Sequence, residues 1–462
     1  MKINVAGAGA GKTSKMAQRI MEKTIPKGKV VFCIAFTNSA ADNIGKKIIK
    51  EKGEIPDNIR ISTIHSFLYN ELIKPYYYCL YGKYFDRISV VNLSNDVRYR
   101  SAEMSRLEKE NILHVKKIPE KAKWVVCNKS SDGKKKRILR KEVLKRFSEY
   151  CAGIFVDEAQ DIGGEVKSVF EALDMAGVEI VLYGDPKQDI KGFGCFRELI
   201  TNACEVKYIL ECYRCPQKHL DISNLFSPIY EKQIADKDNA EGSMGICFEN
   251  DIADIGKFLN DNNWGLKYIS RKQGRFTTHG QNENYCQIES LNYMVYKVVT
   301  KRDDEVESEL YVKRNAFYIA EKMLEMRKKG VEAGKIITYC VNKGMIKRLN
   351  KTEYIKMMSA LNYKNDKQTS VMIVKSIESV KGLEDKNCLF IVTKDIAPYL
   401  FQKKTDDNKE KHLLYVALTR SLDNLIILIT KEVEELYGRE EINRYFEKYN
   451  VYEDINLLNR FN

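Results

Sequence analysis

The stretch Ala6-Gly7-Ala8-Gly9-Ala10-Gly11-Lys12-Thr13, close to the start of the 462-residue chain, decides the fold. The apolar residues 3–5 before it predict a short strand, and residues 14–23 after it have the apolar spacing of a helix. Its glycines let the backbone turn tightly, so that successive N–H groups face a phosphate at the positive end of the helix. The strand, loop and helix together predict a phosphate-binding loop.

Two side chains of this loop predict its chemistry. Lys12 is placed to reach the β- and γ-phosphates, and the Thr13 hydroxyl is placed to bind Mg²⁺. The pattern GxxxxGK[ST] is met except at its first position, where Ala6 is small enough to keep the turn. A glycine-rich turn without a ligand is the alternative. The flanking strand and helix favour nucleotide binding, with Mg²⁺ as the expected metal.

Composition sets the broad class. Hydrophobic residues make up 44% of the chain, which is enough for packed cores, and no apolar run approaches the ~18 residues of a membrane span. We therefore expect a cytoplasmic protein with no membrane partner and with reduced, buried cysteines. The net charge of +13 suits a polyanion such as nucleic acid, although a solvated basic surface explains it equally well.

A second motif follows the apolar run Ile154-Phe155-Val156, where the chain continues as Asp157-Glu158-Ala159-Gln160-Asp161. Surface acids seldom follow so apolar a strand. Asp157 is placed to support Mg²⁺, and Glu158 is placed to accept the proton of an attacking water. The pair predicts nucleotide hydrolysis.

Polar side chains follow other predicted strands as well. The strands at 29–35 and 59–62 each end in hydroxyl or amide residues, and in an open parallel sheet ligands gather beyond such ends. Binding of a nucleic-acid backbone is one interpretation, and ordinary helix capping is the alternative. The strand at 180–184 runs into Gln188, and Tyr213-Arg214 adds an aromatic plane and a guanidinium within the only CxxC, Cys212 to Cys215.

Taken in order, these motifs resemble those of the UvrD/Rep family of superfamily 1 helicases. Residues 376–384 resemble that family's fifth motif and residues 414–420 its sixth, so the resemblance runs from residue 1 to about 432. It implies an α/β fold of two RecA-like P-loop lobes with parallel sheets, each carrying a small, mostly helical insertion. ATP would bind in the cleft between the lobes, and single-stranded DNA would cross their top.

The resemblance also implies residue roles, carried over position by position. The implied catalytic residues are Lys12, Asp157, Glu158, Gln188, Arg214 and Arg420, the two arginines acting as arginine fingers. The implied nucleotide contacts are Ala8, Gly9, Ala10, Gly11, Lys12, Thr13, Ser14, Tyr213, Arg214, Gly382, Glu384 and Arg420. Thr13 and Asp157 would bind the metal. The implied DNA contacts are Phe36, Thr37, Asn38, Thr63, His65, Ser66, Phe193 and Ser376.

The expected lobes are interrupted in sequence. Residues 1–67 and 151–205 would form the first lobe, and residues 206–275 and 366–462 the second. The insertions at 68–150 and 276–365 are shorter than those of the family. The first is rich in lysine and arginine interleaved with aromatics, which predicts DNA contact or a solvated basic surface. In the second, Phe317, Ala320 and Leu324 predict the apolar face of a helix. Residues 424–430 predict a last strand, with helix and tail beyond.

Some positions depart from the family pattern. The sequence begins directly with the strand, so we expect the adenine-reading glutamine segment to be missing or supplied elsewhere. Ser14 stands where an arginine is expected, and Glu378 stands where a histidine faces DNA. After Gln188, Lys191 and Gly194 replace an aromatic and an arginine, while Phe193 keeps one stacking platform. These changes put adenine selectivity and the grip on DNA in question.

Three functions follow from this sequence. The first is an ATP-dependent single-stranded DNA translocase or helicase with a DNA-stimulated ATPase, moving 3′ to 5′ as the resemblance implies. The second is a nucleotide-dependent regulatory or DNA-sensing subunit that works with a nuclease partner in antiphage defence or repair. The third, a P-loop kinase, leaves the motifs after residue 212 without a purpose.

Overall fold

The computed structural model describes residues 1–91, 93, 97–261, 264–278, 283–299, 309–361 and 372–454. The chain forms two compact units, one made of residues 1–270 and 377–462 and the other of residues 271–376. Parallel β-sheets with helices between their strands make up the first unit. The predicted α/β class with two RecA-like lobes is therefore confirmed.

The first sheet has six strands, and every pairing in it is parallel. From one edge to the other the strands are Ile59–Thr63, Val30–Ala35, Cys151–Val156, Ile180–Gly184, Lys2–Ala6 and Glu205–Ile209. Because all six strands run the same way, their carboxyl ends lie at one edge. The phosphate-binding loop and the acidic motif both begin at that edge.

Helices cover both faces of this sheet, because successive side chains of a strand point to opposite sides. Ile154 and Val156 pack into one apolar cluster with Phe147, whereas Phe155, between them, packs into another with Met16. The helices of this lobe are Lys12–Glu22, Asn38–Lys52, Ile64–Phe67, Gly164–Met175 and Cys195–Asn202, with 3₁₀ turns Ala159–Asp161 and Pro186–Gln188.

The first insertion, residues 68–150, is mostly helical. It consists of a π-helix Leu68–Ile73, helices Lys74–Tyr81, Val97–Lys109, Ile118–Val126 and Lys134–Tyr150, a 3₁₀ turn Val115–Lys117, and the paired strands Arg87–Ser89 and Ile112–His114. Its buried residues Tyr77, Leu80 and Phe147 belong to the same apolar cluster as the first sheet. The insertion is thus held by the core of the lobe from which it emerges.

The second sheet takes five parallel strands from the first unit, in the order Leu266–Ile269, Asp385–Val392, Ser421–Ile429, Ser243–Phe248 and Tyr452–Glu453. The sequence predicted only helix and tail beyond residue 430, so the short strand Tyr452–Glu453 is an addition. The surrounding elements are the helices Gln217–Ser223, Ile255–Asp261, Ala397–Leu400, Lys409–Leu418, Lys431–Tyr437 and Arg439–Glu447, the 3₁₀ turns Asn224–Phe226, Ile229–Glu231, Glu249–Asp251 and Glu378–Val380, and the strand pair Glu211–Cys212 with Ile234–Ala235.

The second unit is helical. Its helices are Glu283–Val298, Glu309–Lys328, Ala333–Asn342 and Lys351–Leu361, and a short parallel pair joins Phe276–Thr277 to Met372–Ile373. Ala320 and Leu324 are buried in its core as predicted, but Phe317 is 40% exposed. Phe317 was therefore wrongly placed on the apolar face.

The chain leaves the first unit after residue 270 and returns to it at residue 377. The Ile377 N–H donates to the carbonyl of Ile269 at 2.9 Å, so the points of departure and return are adjacent. Among the described helices, none combines the length and apolarity needed to cross a lipid bilayer.

Candidate nucleotide site and nucleic-acid edge

The phosphate-binding loop lies between the strand Lys2–Ala6 and the helix Lys12–Glu22. Gly9 and Gly11 adopt φ values of +68° and +70°, a conformation that favours glycine, and Gly11 is the N-cap of the helix. The Lys12 ammonium folds back and donates to the carbonyls of Ala6 at 3.3 Å and Gly7 at 3.2 Å. The loop has the shape and the charge of an anion site at a helix N-terminus.

The two predicted metal ligands lie together at this loop. The Thr13 hydroxyl donates to Asp157 Oδ2 at 2.6 Å, although the residues are 144 positions apart in sequence. Hydroxyl and carboxylate oxygens are hard ligands of the kind that Mg²⁺ prefers. These residues therefore fit a magnesium ion bound with a nucleotide.

The adjacent carboxyl groups of Asp157 and Glu158 respond differently to the same environment. Burial and the Glu158 charge raise the pKa of Asp157 to about 6. Burial also opposes ionisation of Glu158, but Lys12 and Lys381 outweigh it and hold the pKa of Glu158 below its usual range. Glu158 is therefore ionised at neutral pH, as a general base must be.

The backbone and a neighbouring amide hold Glu158 in place. Its φ is +57°, an uncommon conformation for a residue with a side chain, and Gln160 Nε2 donates to its carboxylate. The other end of the same amide, Gln160 Oε1, accepts from the Asp185 N–H at 2.9 Å. Gln160 was not predicted as a site residue, although it stands two positions after the predicted base.

The predicted phosphate sensor, Gln188, contacts the same network from the neighbouring strand. Its Nε2 donates to Asp185 Oδ2 at 2.9 Å, and Lys187 Nζ lies 3.2 Å from Asp185 Oδ1. Burial opposes ionisation of Asp185, but Lys187 and Lys12 keep the pKa of Asp185 below its usual value. One buried carboxylate thus stands between Gln188 and the loop lysine.

Tyr213 and Arg214 lie directly on the phosphate-binding loop. The Tyr213 N–H donates to the Gly9 carbonyl at 2.9 Å, and a Cβ placed on Gly9 would be 2.4 Å from the Cβ of Arg214. Arg214 Nε pairs with Glu384 Oε2 at 2.5 Å, so the predicted fifth-motif residue Glu384 lies beside Arg214. The Tyr213 ring is half exposed, and the Lys15 ammonium lies 5.5 Å from its centre.

Arg420, the second predicted finger, is buried beside Arg214. Its guanidinium donates to the carbonyls of Val416 at 2.9 Å and Leu383 at 3.2 Å. Burial and the neighbouring Arg214 charge lower the pKa of Arg420 to about 10. Gly382, with φ of +84°, lies in the same turn as Leu383, whereas Ser14 is exposed on the first turn of its helix.

The two lobes also meet through contacts that the sequence did not predict. Tyr415 OH accepts from the Ala8 N–H at 3.1 Å, and Gln233 Nε2 donates to the Ala8 carbonyl at 2.9 Å. Lys381 Nζ donates to Asp161 at 2.9 Å. Tyr415 could have been found, because it precedes Arg420 on the same predicted motif. Gln233 has no local pattern around it.

Cys212 also contacts the loop. Its Sγ donates to the Ala8 carbonyl at 3.2 Å and accepts from the Cys215 N–H at 3.3 Å. Hydrogen bonding from Cys215 lowers the pKa of Cys212 to about 6. Across the part of the chain that the structure describes, no group of three or more His, Cys, Asp or Glu side chains is arranged to hold a metal.

At the predicted DNA edge, two threonines act as helix caps. Thr37 Oγ1 accepts from the Ala40 N–H at 3.1 Å, and Thr63 Oγ1 accepts from the Ser66 N–H at 3.3 Å. Asn38 is exposed in the first turn after Thr37. The capping alternative thus describes both threonines, while their positions at the carboxyl ends of strands remain suitable for contacting a backbone phosphate.

Three other predicted DNA residues surround Lys191. Its ammonium lies 5.5 Å from the ring centre of Phe36 and 5.9 Å from that of Phe193, which is 46% exposed. Burial and the Lys191 charge lower the pKa of His65. The sequence treated Lys191 only as a departure from the family, whereas the structure places it among Phe36, His65 and Phe193. Ser376 belongs to the second unit.

Two charged groups that bear on the predicted DNA contacts have partners within the protein. Glu378, which replaces a DNA-facing histidine, is paired with Lys409 at 2.5 Å, so its charge is compensated. In the basic insertion, Arg140 is buried and paired with Asp132 at 2.9 Å, which makes it a structural residue. Part of the basic charge of the insertion therefore stabilises the insertion itself.

Comparisons with known proteins give a family match for part of the chain. A family model described as an AAA domain matches residues 1–194, the part that holds the phosphate-binding loop and the acidic motif. No curated protein matches the chain. Among solved structures, the chain is similar to the Arterivirus nonstructural protein 10 helicase in complex with DNA, at 12% identity and a TM-score of 0.35. That alignment covers 92% of this chain, which spans 60% of the length of the viral chain.

Proposed function

We propose that the protein is an ATP-dependent single-stranded DNA translocase or helicase of the UvrD type, with a DNA-stimulated ATPase. One observation carries the proposal: the loop, the Thr13–Asp157 pair and Glu158 come from the first sheet, and Arg214 lies against the same loop from the part of the chain that follows it. A triphosphate held there would have both a general base and a cation close to it.

The residues present suggest how hydrolysis proceeds. Lys12 leaves the carbonyls of Ala6 and Gly7 for the β- and γ-phosphates, because phosphate oxygens carry more charge than carbonyls. Magnesium held by Thr13 and Asp157 would supply neutralisation of the phosphate charge. Glu158 accepts the proton of the attacking water, and Arg214 with Arg420 stabilises the charge of the transition state.

The DNA-binding role is supported by the edge at which the parallel strands of the first sheet end. Phe36 and Phe193 offer base-stacking surfaces close to the Lys191 ammonium. Thr37 and Thr63 hold the N-termini of the two adjacent helices, where backbone N–H groups can contact phosphates. Movement 3′ to 5′ is proposed from the resemblance to UvrD alone.

The test is ATP hydrolysis by the purified chain, with and without an oligothymidylate. We expect stimulation by the oligonucleotide, and we expect Glu158→Gln to lower kcat by about 10²- to 10⁴-fold while fluorescent ATP still binds. Glu165→Gln, at an exposed site on the following helix, is the matched control. An ATPase that ignores single-stranded DNA would contradict the translocase proposal.

The second candidate is a nucleotide-dependent subunit that senses DNA and works with a nuclease in antiphage defence or repair. The burial of Arg140 against Asp132 favours this candidate, because it reduces the positive charge that the insertion offers to duplex DNA. Strand displacement on substrates with a 3′ or a 5′ tail distinguishes the candidates. ATPase stimulation without displacement on either substrate would favour the sensing subunit.

A further inference from the structure

The Ala8 residue of the phosphate-binding loop is held on both of its polar edges. Its N–H donates to Tyr415 OH at 3.1 Å, and its carbonyl accepts from Gln233 Nε2 at 2.9 Å. Tyr415 OH in turn donates to Gln233 Oε1 at 2.7 Å. These three hydrogen bonds form a closed ring, and Gln233 and Tyr415 are each only 2% exposed.

This ring fixes the orientation of two successive peptide groups. In a trans peptide the carbonyl and the following N–H point in opposite directions. With the Ala8 carbonyl turned toward Gln233, the Gly9 N–H is turned away from Gln233. With the Ala8 N–H turned toward Tyr415, the Gly7 carbonyl is turned the other way, where it accepts from Lys12 Nζ at 3.2 Å.

Gln233 is itself held rigidly. Asn224 Oδ1 accepts from the Gln233 N–H at 2.8 Å, and Asn224 Nδ2 donates to the Gln233 carbonyl at 2.8 Å. The side chain lies so close to the loop that a Cβ placed on Gly7 would be 2.1 Å from Gln233 Cδ. A pre-positioned amide of this kind loses little conformational entropy when it binds its partner.

We propose that Gln233 is a positioning residue for nucleotide binding, which aims the Gly9 N–H at a phosphate whenever the lobe carrying Gln233 rests on the loop. The inference rests on the proposed ATPase function and deepens it, because it links lobe contact to nucleotide affinity by a route separate from the arginines. Tyr415 completes the ring and is the partner through which Gln233 acts.

The test measures the dissociation constants of fluorescent mant-ATP and mant-ADP together with KM and kcat for ATP. For Gln233→Ala we expect both dissociation constants and KM to rise about tenfold, with kcat at saturating ATP within about twofold of wild type. Gln233→Glu keeps the shape and the acceptor for Tyr415 but cannot donate to Ala8. It should give the same loss, and it replaces Gln233→Ala if that variant fails to fold.

Gln217→Ala is the matched control. Gln217 Oε1 accepts from the Ala235 N–H at 2.8 Å, two residues from Gln233, but its exposed side chain does not contact the loop. We expect wild-type binding and hydrolysis from it. We also expect the double variant of Gln233→Ala and Tyr415→Phe to bind mant-ATP as weakly as Gln233→Ala alone, since one ring is broken in both.

Unchanged dissociation constants in both Gln233 variants would overturn the inference. A fall in kcat at constant KM would also overturn it, because Gln233 would then act in the transition state rather than in binding. Failure of the wild-type chain to bind either mant nucleotide would reject the proposed ATPase function itself, and the inference with it.

Discussion

The proposed nucleotide site and the proposed DNA edge both lie at the carboxyl ends of parallel strands, yet they are built differently. At the nucleotide site, residues far apart in sequence bond directly to one another, as Thr13 does to Asp157. At the DNA edge, Thr37 and Thr63 bond to residues three positions away. The buried side chains of the first site hold one another in place through hydrogen bonds. The threonines of the exposed edge instead cap their own helices when no ligand is bound.

The largest difference that we expect between the two regions is the effect of replacing Arg214 at the proposed nucleotide site. Arg214→Ala removes a cation placed against the loop, and we expect the DNA-stimulated kcat for ATP to fall by about 10³-fold or more, the effect of losing an arginine finger. Arg444→Ala, on the helix Arg439–Glu447 at the far end of the chain, is the control. Steady-state hydrolysis measures both, and a loss below about tenfold would mean that Arg214 only pairs with Glu384.

The raised pKa of Asp157 predicts a pH dependence of the nucleotide site. Below pH about 6 the carboxyl is protonated and cannot support a metal, so we expect the affinity for Mg²⁺ and mant-ATP together to fall by up to about tenfold per pH unit. Without metal, the unfolding free energy should move the other way. Because the folded state holds the proton more tightly than the unfolded chain, stability falls as the pH rises from about 4 to 6.

Titration of mant-ATP binding and urea unfolding across pH 4.5 to 7.5 measure these two trends. Asp157→Asn should bind weakly at every pH and should flatten the stability profile. A wild-type affinity that does not change between pH 5 and 7 would show that Asp157 is ionised throughout in the nucleotide complex.

At the DNA edge, stacking and charge can be separated. Phe193→Ala should weaken binding of an oligothymidylate about tenfold without changing its salt dependence, because stacking releases no counterions. Lys191→Ala should make the slope of log affinity against log salt shallower by ~0.7, the value for one phosphate contact on a single strand. Fluorescence anisotropy at several salt concentrations measures both. Identical effects of the two changes would contradict the arrangement proposed for this edge.

The smallest expected effect concerns the cap at Thr37. Thr37→Ala should lower the unfolding free energy by ~1 kcal/mol, and Thr37→Ser should restore it, because the serine hydroxyl can accept from Ala40. Thr201→Ala, whose hydroxyl donates to a carbonyl within its own helix, is the control. Urea unfolding without DNA gives the values. If Thr37→Ala weakened DNA binding but left stability unchanged, the hydroxyl would serve the ligand rather than the helix.

The sequence was informative where apolar runs and small-residue turns determine local structure. The strands before the loop and before Asp157 are continuous apolar runs, which is typical of parallel strands buried on both faces. The positions of the loop glycines and the acid pair after these strands could be predicted because the apolar runs end there.

The remainder depends on distant contacts. Gln233 reaches the loop from a position 225 residues away, and no periodicity surrounds it. The strand Tyr452–Glu453 is only two residues long and is defined by its pairing with Gly245 and Ile246. Lys191 was visible only as a family departure, because its neighbours Phe36 and Phe193 come from separate loops.

The hydrogen bond between Ile377 and Ile269 has a consequence for how this polypeptide tolerates changes in length. Because Ile269 and Ile377 are adjacent, the roughly hundred residues between them form one insertion into the first unit. The entropy cost of closing such an insertion grows only slowly with its length. Segments can therefore be gained or lost within this insertion while the phosphate-binding loop and the acid pair of the first sheet keep their positions. The same core of two sheets can thus carry inserted segments of different length.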